Sequence, residues 1–399
     1  MIDTALIDYA VRHRESDVAR LLLQSKTDDI DMPLVAQQIE GWLTAREKWP
    51  TLAMCDQTWY PPRLNREQSS SEATARYKAS LFVKSGNTLA DLTGGMGIDS
   101  LFATKAGAIV DYVEMDCALC DGMRHNLDAL GLKNCIVHCD DSMRWLSLQG
   151  KVYNTIYIDP ARRDSHGGRV SAFEDCTPNL LEHIALLLAH GNQLVVKASP
   201  MIDLATARRQ LAPHLCKTHI VAVKGECKEI LFVCRAENDG EVRNSCVNIE
   251  EPLQPETFIG HTFDYYDSDE AATLLTFCQT MGRYIYEPHA ALMKGGPYNL
   301  ICQCYGVEKL SRNTHLYTSL QLMEDFPGRI FEVLSPTPLT AKAIKKHITD
   351  GKAHVISRNY PTTAAALQKQ LHLKEGGDLF VIATTIGTQK SGFVCRRIK

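Results

Sequence analysis

The 399-residue chain has no apolar run approaching the ~18 residues that a membrane-spanning helix needs, which argues against such a span. Its first twenty residues, MIDTALIDYAVRHRESDVAR, lack the apolar stretch of a signal peptide, so a cytoplasmic protein with no membrane partner is expected. Internal repeats and low-complexity tracts are missing too. With 45% hydrophobic and 23% charged residues, that absence excludes fibrous and disordered classes and leaves a globular chain of roughly two to four domains. Fourteen cysteines are many, but they are scattered and no secretory signal accompanies them. They are expected as reduced thiols, not as a disulfide framework. Net charge is also scarce at -4, yet it is unevenly placed. From Arg329 to Lys399, twelve Lys and Arg face four Asp and Glu, so this tail carries +8 and the preceding 328 residues carry -12. A basic module on an acidic body makes nucleic acid the first partner to consider.

Residues 1–70 repeat apolar positions at helical spacing (Leu21, Leu22, Leu23, then Val35, Ile39, Leu43), broken by Pro50, Pro61 and Pro62, and predict a small helical cap. Residues 71–236 alternate β-rich and helical runs: NTLADL, AIVDYVE, NCIVHC, NTIYID and NQLVVKA, then THIVAV and EILFVC around the turn-like KGECK. Five strand–helix repeats closed by a hairpin predict an α/β fold, a parallel sheet with an antiparallel edge. The polar stretch AENDGEVRN marks a boundary. Residues 237–320 form a linker and a mixed region, and 321–399 predict an α+β module: RIFEVL, TAKAIKKHI, AHVISR, TAAALQKQL, LFVIATT, GFVCRRI.

Ligands of open α/β sheets sit at the carboxyl ends of the strands. The first strand ends in DLTGGMGID. Gly95 and Gly97 allow a close backbone approach, and Asp91 puts a carboxylate where a phosphate-binding loop would have none, which favours a cationic or zwitterionic ligand. Ile98, Asp99 and Ser100 do not supply the third glycine of a dinucleotide fingerprint. The second strand ends at Glu114, 17 residues past Gly97, where an acid can accept from ribose hydroxyls. The third ends in HCDD before Ser142, bringing Asp140 or Asp141 beside an adenine amino group. This order of acids and glycines, over about Ser70 to Arg235, resembles the class I S-adenosylmethionine-dependent methyltransferases with their Rossmann-like sheet. The resemblance implies S-adenosyl-L-methionine as cofactor, its methionine part near Asp91, Thr93, Gly95 and Gly97. Glu114 would hold the ribose, Asp141 with Asp140 the adenine, and Asp159 would border the site.

The fourth strand ends in IYIDPARRD. Methyltransferases of base amino groups carry [DN]PP[YF] there; Asp159 and Pro160 fit, whereas Ala161 and Arg162 replace the second proline and the ring. The 5-methyluridine enzymes need a cysteine at the end of the fifth strand, where VVKASP has none, so carbon-5 methylation is not expected. Lys197 lies in that segment, facing the same cleft as Asp159. With Lys78 in ATARYKASL and Glu229 in GECKEILFV, these four resemble the Lys-Asp-Lys-Glu set of ribose 2′-O-methyltransferases. That resemblance makes Lys197 a base whose pKa burial and a second ammonium would lower, and the ribose 2′-hydroxyl the first acceptor. A base nitrogen held by the DPAR segment is the alternative.

Cys117 and Cys120 form a CxxC with Cys135 and Cys139 at zinc-like separation, but they belong to the second helix and third strand, where one tetrahedral site would distort the sheet. No metal is expected, and apolar packing explains these thiols better. Downstream, RYIYEPHAALMKGGPYNLI, LSRNTHLYTS and FPGRIFEVL, with SSSEATARYKASL near the start, resemble a bacterial methyltransferase family that carries a ferredoxin-like and a THUMP-like domain. THUMP modules bind structured RNA, implying rRNA or tRNA as partner, with Lys342, Lys345, Lys346, Arg358, Lys369, Arg396 and Arg397 as phosphate contacts. An S-adenosylmethionine-dependent RNA methyltransferase is the expected function; a small-molecule methyltransferase and a non-catalytic RNA-binding protein are its competitors.

Overall fold

The computed structural model describes residues 2–24, 30–82, 86–162, 173, 176–238, 240–254 and 257–399. Arg163 and Asp164 of the expected acceptor segment, and Asp239 of the boundary stretch, lie outside the described residues, as do the side chains of Leu23 and Arg162. The chain divides into two compact units: residues 1–218, 228–241 and 251–258, then 219–227, 242–250 and 259–399.

The sheet of the first unit comprises β1 (Thr88–Asp91), β2 (Ile109–Glu114), β3 (Cys135–Cys139), β4 (Thr155–Ile158), β5 (Leu194–Ala198), β6 (Leu215–Val223) and β7 (Glu226–Cys234). Their order is β6-β7-β5-β4-β1-β2-β3. Strands β1 to β5 run parallel, and β7 runs antiparallel to β5 with Lys197 opposite Leu231, the parallel sheet with an antiparallel edge expected from the sequence. The run TIYI of β4 is buried throughout, as a strand covered on both faces must be. The strand order reverses at β1, which has β2 on one side and β4 on the other, so a crevice opens at their carboxyl ends. Acid caps start the helices there: Asp116 accepts from Ala118 N (2.8 Å) and Asp141 from Arg144 N (2.8 Å).

The first 70 residues are helical, at Thr4–His13, Val18–Gln24, Met32–Lys48, Pro50–Ala53 and Arg63–Gln68. They do not form a core of their own alone. Ala45, Trp49, Leu52 and Tyr60 pack into one cluster with Met96, Leu101, Phe102, Tyr112 and Met123, because so short a segment cannot bury its large rings by itself. Asn126, in the helix Cys117–Ala129, fastens the join: its Oδ1 accepts from Trp59 N (2.7 Å) and its Nδ2 donates to Trp59 O (3.0 Å).

In the second unit, β8 (Arg243–Gln254) lies beside the end of β6, and β9 (Thr257–Tyr266) lies beside β8. A seven-stranded sheet comes next, from β10 (Tyr284–Pro288), β11 (Glu308–Ser311), β12 (Thr314–Ser319), β13 (Gly328–Pro336), β14 (His354–Arg358), β15 (Leu379–Ile386) and β16 (Gln389–Arg397), ordered β11-β12-β10-β13-β16-β15-β14. One face buries Ile285, Phe331, Ile356, Ile382 and Phe393. The other buries Val381 and Val394 against Ile344, Ile348 and Leu371 from the helical segments. The expected helix TAKAIKKHI is regular only over Ala341–Ile344, capped by Thr340, although Ile344 and Ile348 keep their helical spacing on the buried side. Among the described residues no helix is long and apolar enough to cross a membrane.

Candidate active site

The turn after β1 brings the glycine loop to the crevice. Gly95 and Gly97 have φ of +55° and +83°, which residues with a Cβ rarely adopt. At Gly97 a Cβ would stand 2.4 Å from Met123 Sδ, so this glycine serves helix packing, whereas the Gly95 side has no neighbour nearer than 3.9 Å and stays open to a ligand. Glu114, at the end of β2, accepts from Gly95 N and Asp116 N, both at 2.9 Å, and so ties the loop to the next strand. Thr93 Oγ1 accepts from Asp159 N (2.7 Å), tying it to β4 as well.

Asp91 is 1% exposed. Its oxygens accept only from Ser100 Oγ (2.7 Å) and Thr93 N (3.2 Å), and no ion pair reaches it among the described residues. Burial, against those two hydrogen bonds and with the nearby Asp99 and Asp159 carboxylates, pushes its carboxyl up to about 7. Asp140 Oδ1 is engaged by Arg144 and by Asp141 N (2.7 Å). Asp141 caps the helix that begins at Ser142, so each of the two expected adenine acids has one oxygen committed to local structure.

The four residues of the expected acceptor set do meet, in two layers. Lys78 is fully buried; its Nζ donates to both Glu229 oxygens (2.9 and 2.7 Å) and to Ser70 Oγ (2.9 Å), and lies 3.2 Å from Asp99. Glu229 is buried with it. Neither can touch an acceptor. Lys197 donates to Asp159 Oδ2 at 2.5 Å, with side chains 13% and 36% exposed, and these two face the crevice.

The expected lowering of the Lys197 pKa is corrected by this arrangement. Burial alone would lower it, but the Asp159, Glu229 and Asp99 carboxylates outweigh burial and hold the ammonium above its ordinary value. The sequence showed Asp159 and Glu229 and missed Asp99, which completes the negative cage. Asp99 accepts from Ser70 Oγ and Tyr157 Oη, both 2.8 Å, and the charges of Lys78 and Lys197 overcome its burial to keep its carboxyl low. An acid in the first turn of a helix reads as a helix-dipole partner, which hid it. Lys48 was missed for lack of any motif. It donates to the carbonyls of Arg66 (2.6 Å) and Glu67 (3.1 Å), and burial, then the Lys197 and Lys228 charges, push it down to about 8.

Two expectations about cysteines fare differently. Cys120 is buried as expected, its thiol donating to Glu114 O (3.3 Å). Cys117 and Cys139, expected as reduced thiols, are instead joined as a disulfide, with Cα atoms 5.8 Å apart. Parallel pairing sets Glu114 opposite Cys139, and the helix beginning at Cys117 turns back over that strand end. No three His, Cys, Asp or Glu residues converge on a possible metal position among the described residues.

The expected RNA contacts do not share one face. Lys342, Lys345, Lys346 and Lys369 are exposed on the helical side of the second unit's sheet, and Arg396 alternates with Val394 toward that side. Arg397 belongs to the opposite face, with Cys395 and Phe393. Arg358 is committed elsewhere: its Nε and a terminal nitrogen each stand 2.7 Å from the buried Glu287, which Arg329 also engages. A carboxylate 71 residues away in sequence gives no signal of that claim.

Against known proteins, a profile for a ferredoxin-like domain matches residues 284–327 and one for a THUMP domain-like module matches 328–397. No curated protein sequence matches the chain. The crystal structure of a candidate methyltransferase from Porphyromonas gingivalis W83 is 30% identical, covers 99% of this chain and 98% of its own, and superposes with a TM-score of 0.86. A SAM-dependent methyltransferase from Agrobacterium tumefaciens is 19% identical over 50% of this chain and 61% of its own, with a TM-score of 0.31, too loose a likeness to inform the chemistry of the site. The Porphyromonas relative spans both units, glycine loop and basic module alike, and the chain belongs to its methyltransferase family, with ferredoxin-like and THUMP-like domains at the carboxy-terminal end.

Proposed function

We propose that this protein methylates an amino group of a base in structured RNA, with S-adenosyl-L-methionine as donor. The cofactor's fit is supported by Asp91, a buried carboxylate without a cation of its own, beside the open side of Gly95. Asp91, Thr93, Gly95 and Gly97 would border the methionine part, Glu114 the ribose, and Asp140 and Asp141 the adenine. The cofactor supplies an electrophilic methyl group on a sulfonium. This chain's own residues do the rest: Asp159 accepts an N–H of the acceptor amine, and Lys197 keeps Asp159 ionised. Lys78, Asp99 and Glu229 form the buried support that fixes Lys197.

The observation that carries the choice of an amine is Lys197 itself. A ribose hydroxyl needs a base, and an ammonium caged by three carboxylates is a poor one; an amine attacks through its lone pair without deprotonation. The THUMP-like module and the +8 charge on residues 329–399 support RNA as the substrate. Lys342, Lys345, Lys346, Lys369 and Arg396 are the contacts that this reading retains; Arg397 lies on the other face and Arg358 is occupied. Mass spectrometry of rRNA and tRNA nucleosides from a deletion strain tests it. One missing base-methylated nucleoside is expected; a missing 2′-O-methyl nucleoside would return the acceptor to ribose, and an unchanged profile would remove RNA.

A further inference from the structure

Of the fourteen cysteines, twelve are free and one pair is bonded, and that pair lies at the proposed cofactor site. Cys117 is three residues past Glu114, in the first turn of the helix that leaves β2. Cys139 is the last residue of β3 and directly precedes Asp140. The bridge therefore fastens the turn carrying the ribose acid to the turn carrying the adenine acids. Both cysteines are exposed, so oxidants and thiols in solution reach them.

Their neighbours are poor rivals for the bond. Burial pushes the Cys120 thiol up to about 11 and the Cys135 thiol up to about 12, so these remain protonated, and a protonated thiol neither attacks nor exchanges efficiently. Lasting disulfides are rare in a reducing compartment, where those that form are mostly transient and redox-sensing.

We propose that Cys117 and Cys139 are a reversible oxidation site whose bridge sets the affinity of the cofactor pocket. The inference rests on the proposed cofactor reading. With a hydroperoxide as oxidant, one thiolate attacks the peroxide oxygen, the O–O bond breaks, and a sulfenic acid forms as water or alcohol leaves. The second thiolate displaces hydroxide from that sulfur, which leaves as water once protonated. Two thiols have then lost two electrons and two protons to form one disulfide. A dithiol reverses it by exchange, leaving oxidised itself. The bridged state holds the Glu114 and Asp140 turns together before the cofactor arrives, so less ordering is needed on binding and affinity rises.

The test uses the full chain, oxidised with hydrogen peroxide or reduced with dithiothreitol. Alkylation and peptide mass spectrometry map the thiols, and calorimetry with S-adenosylmethionine measures affinity. Peroxide should protect Cys117 and Cys139 from alkylation as a linked pair, and bridged protein should bind at least about threefold more tightly than reduced protein. Cys117→Ser and Cys139→Ser should each bind as reduced protein does, whatever the treatment. Thiols at 117 and 139 that stay alkylatable after peroxide overturn the inference, as does a bridged protein with unchanged or weaker affinity. If the bridge forms and cofactor binds in neither state, the cofactor reading fails and takes the affinity claim with it.

Discussion

Replacing Lys197 by Met keeps most of the side chain's length and removes the ammonium that the carboxylates of Asp159, Glu229 and Asp99 surround. To act as a base, Lys197 would first have to lose its proton. Its pKa lies above the ordinary 10.5, so at pH 7.5 fewer than about one molecule in a thousand holds it neutral, a cost of at least about 4 kcal/mol at about 1.4 kcal/mol per unit. General-base catalysis typically returns ~10² to ~10⁴ in rate, or about 3 to 5.5 kcal/mol, so the caged lysine would regain little more than it lost. With an amine acceptor, Lys197 matters only through Asp159. Lys197→Met should therefore keep the single-turnover rate within about tenfold, and Lys197→Arg should stay closer to wild type because the positive charge survives. Removing the ammonium leaves Asp159 unpaired but a third exposed, so about 1 to 3 kcal/mol of stability should go, between the values for exposed and buried pairs. The assay is single-turnover methylation of RNA from a deletion strain between about pH 6.5 and 9. A flat profile is expected in all three proteins. A rate that climbs tenfold per pH unit in wild type, with that climb abolished in both variants, would refute the amine reading and make Lys197 the base.

Asp91 carries a stability forecast of the opposite sign to an ion-paired acid. Its folded pKa is raised from 3.8 to about 7, so the unfolded chain releases this proton first and stability falls as pH rises through that window. Asp91→Asn should raise the melting temperature at pH 8, with a smaller gain at pH 5, while weakening S-adenosylmethionine binding by about 1.5 to 3 kcal/mol in calorimetry. Equal melting temperatures at pH 8, or wild-type affinity, would contradict the buried, cation-seeking carboxylate. On the RNA side, Lys345→Glu with Lys346→Glu should lower the slope of log affinity against log salt by about 0.9 per contact on duplex-like RNA, measured by filter binding. Arg358→Gln should leave that slope alone and lower stability to denaturant, since Glu287 would keep only Arg329. A reduced slope in Arg358→Gln would show that its phosphate role outranks its ion pair.

Much of the sheet was legible because parallel strands announce themselves as short apolar runs ending in charged or glycine-rich turns, as TIYI ending at Asp159 does. The pairing of Lys197 with Asp159 followed from strand ends alone. What the sequence concealed was depth and direction. Lys78 and Lys197 look alike in sequence, yet one is sealed inside with Glu229 and only the other reaches the crevice. The sign of the Lys197 shift depended on Asp99, whose first-turn position suggested a helix partner. Spacing suggested neither the bond between Cys117 and Cys139 nor the split of the basic residues over two faces, because each depends on which elements pack together and not on their composition.

The ion pair between Lys78 and Glu229 joins residues 151 positions apart in the chain. During synthesis at ~5–20 residues per second, Lys78 leaves the ribosome roughly 8 to 30 seconds before its partner exists. Until then the lysine must stay hydrated, since an unpaired ammonium cannot be buried cheaply. The segment carrying Lys78 and Ser70 therefore cannot settle onto the sheet early, and Trp49 and Tyr60 wait with it, uncovered, while the five parallel strands are made. Translation speed between codons 78 and 229 thus sets how long a chaperone that recognises exposed aromatic rings has a client in this protein.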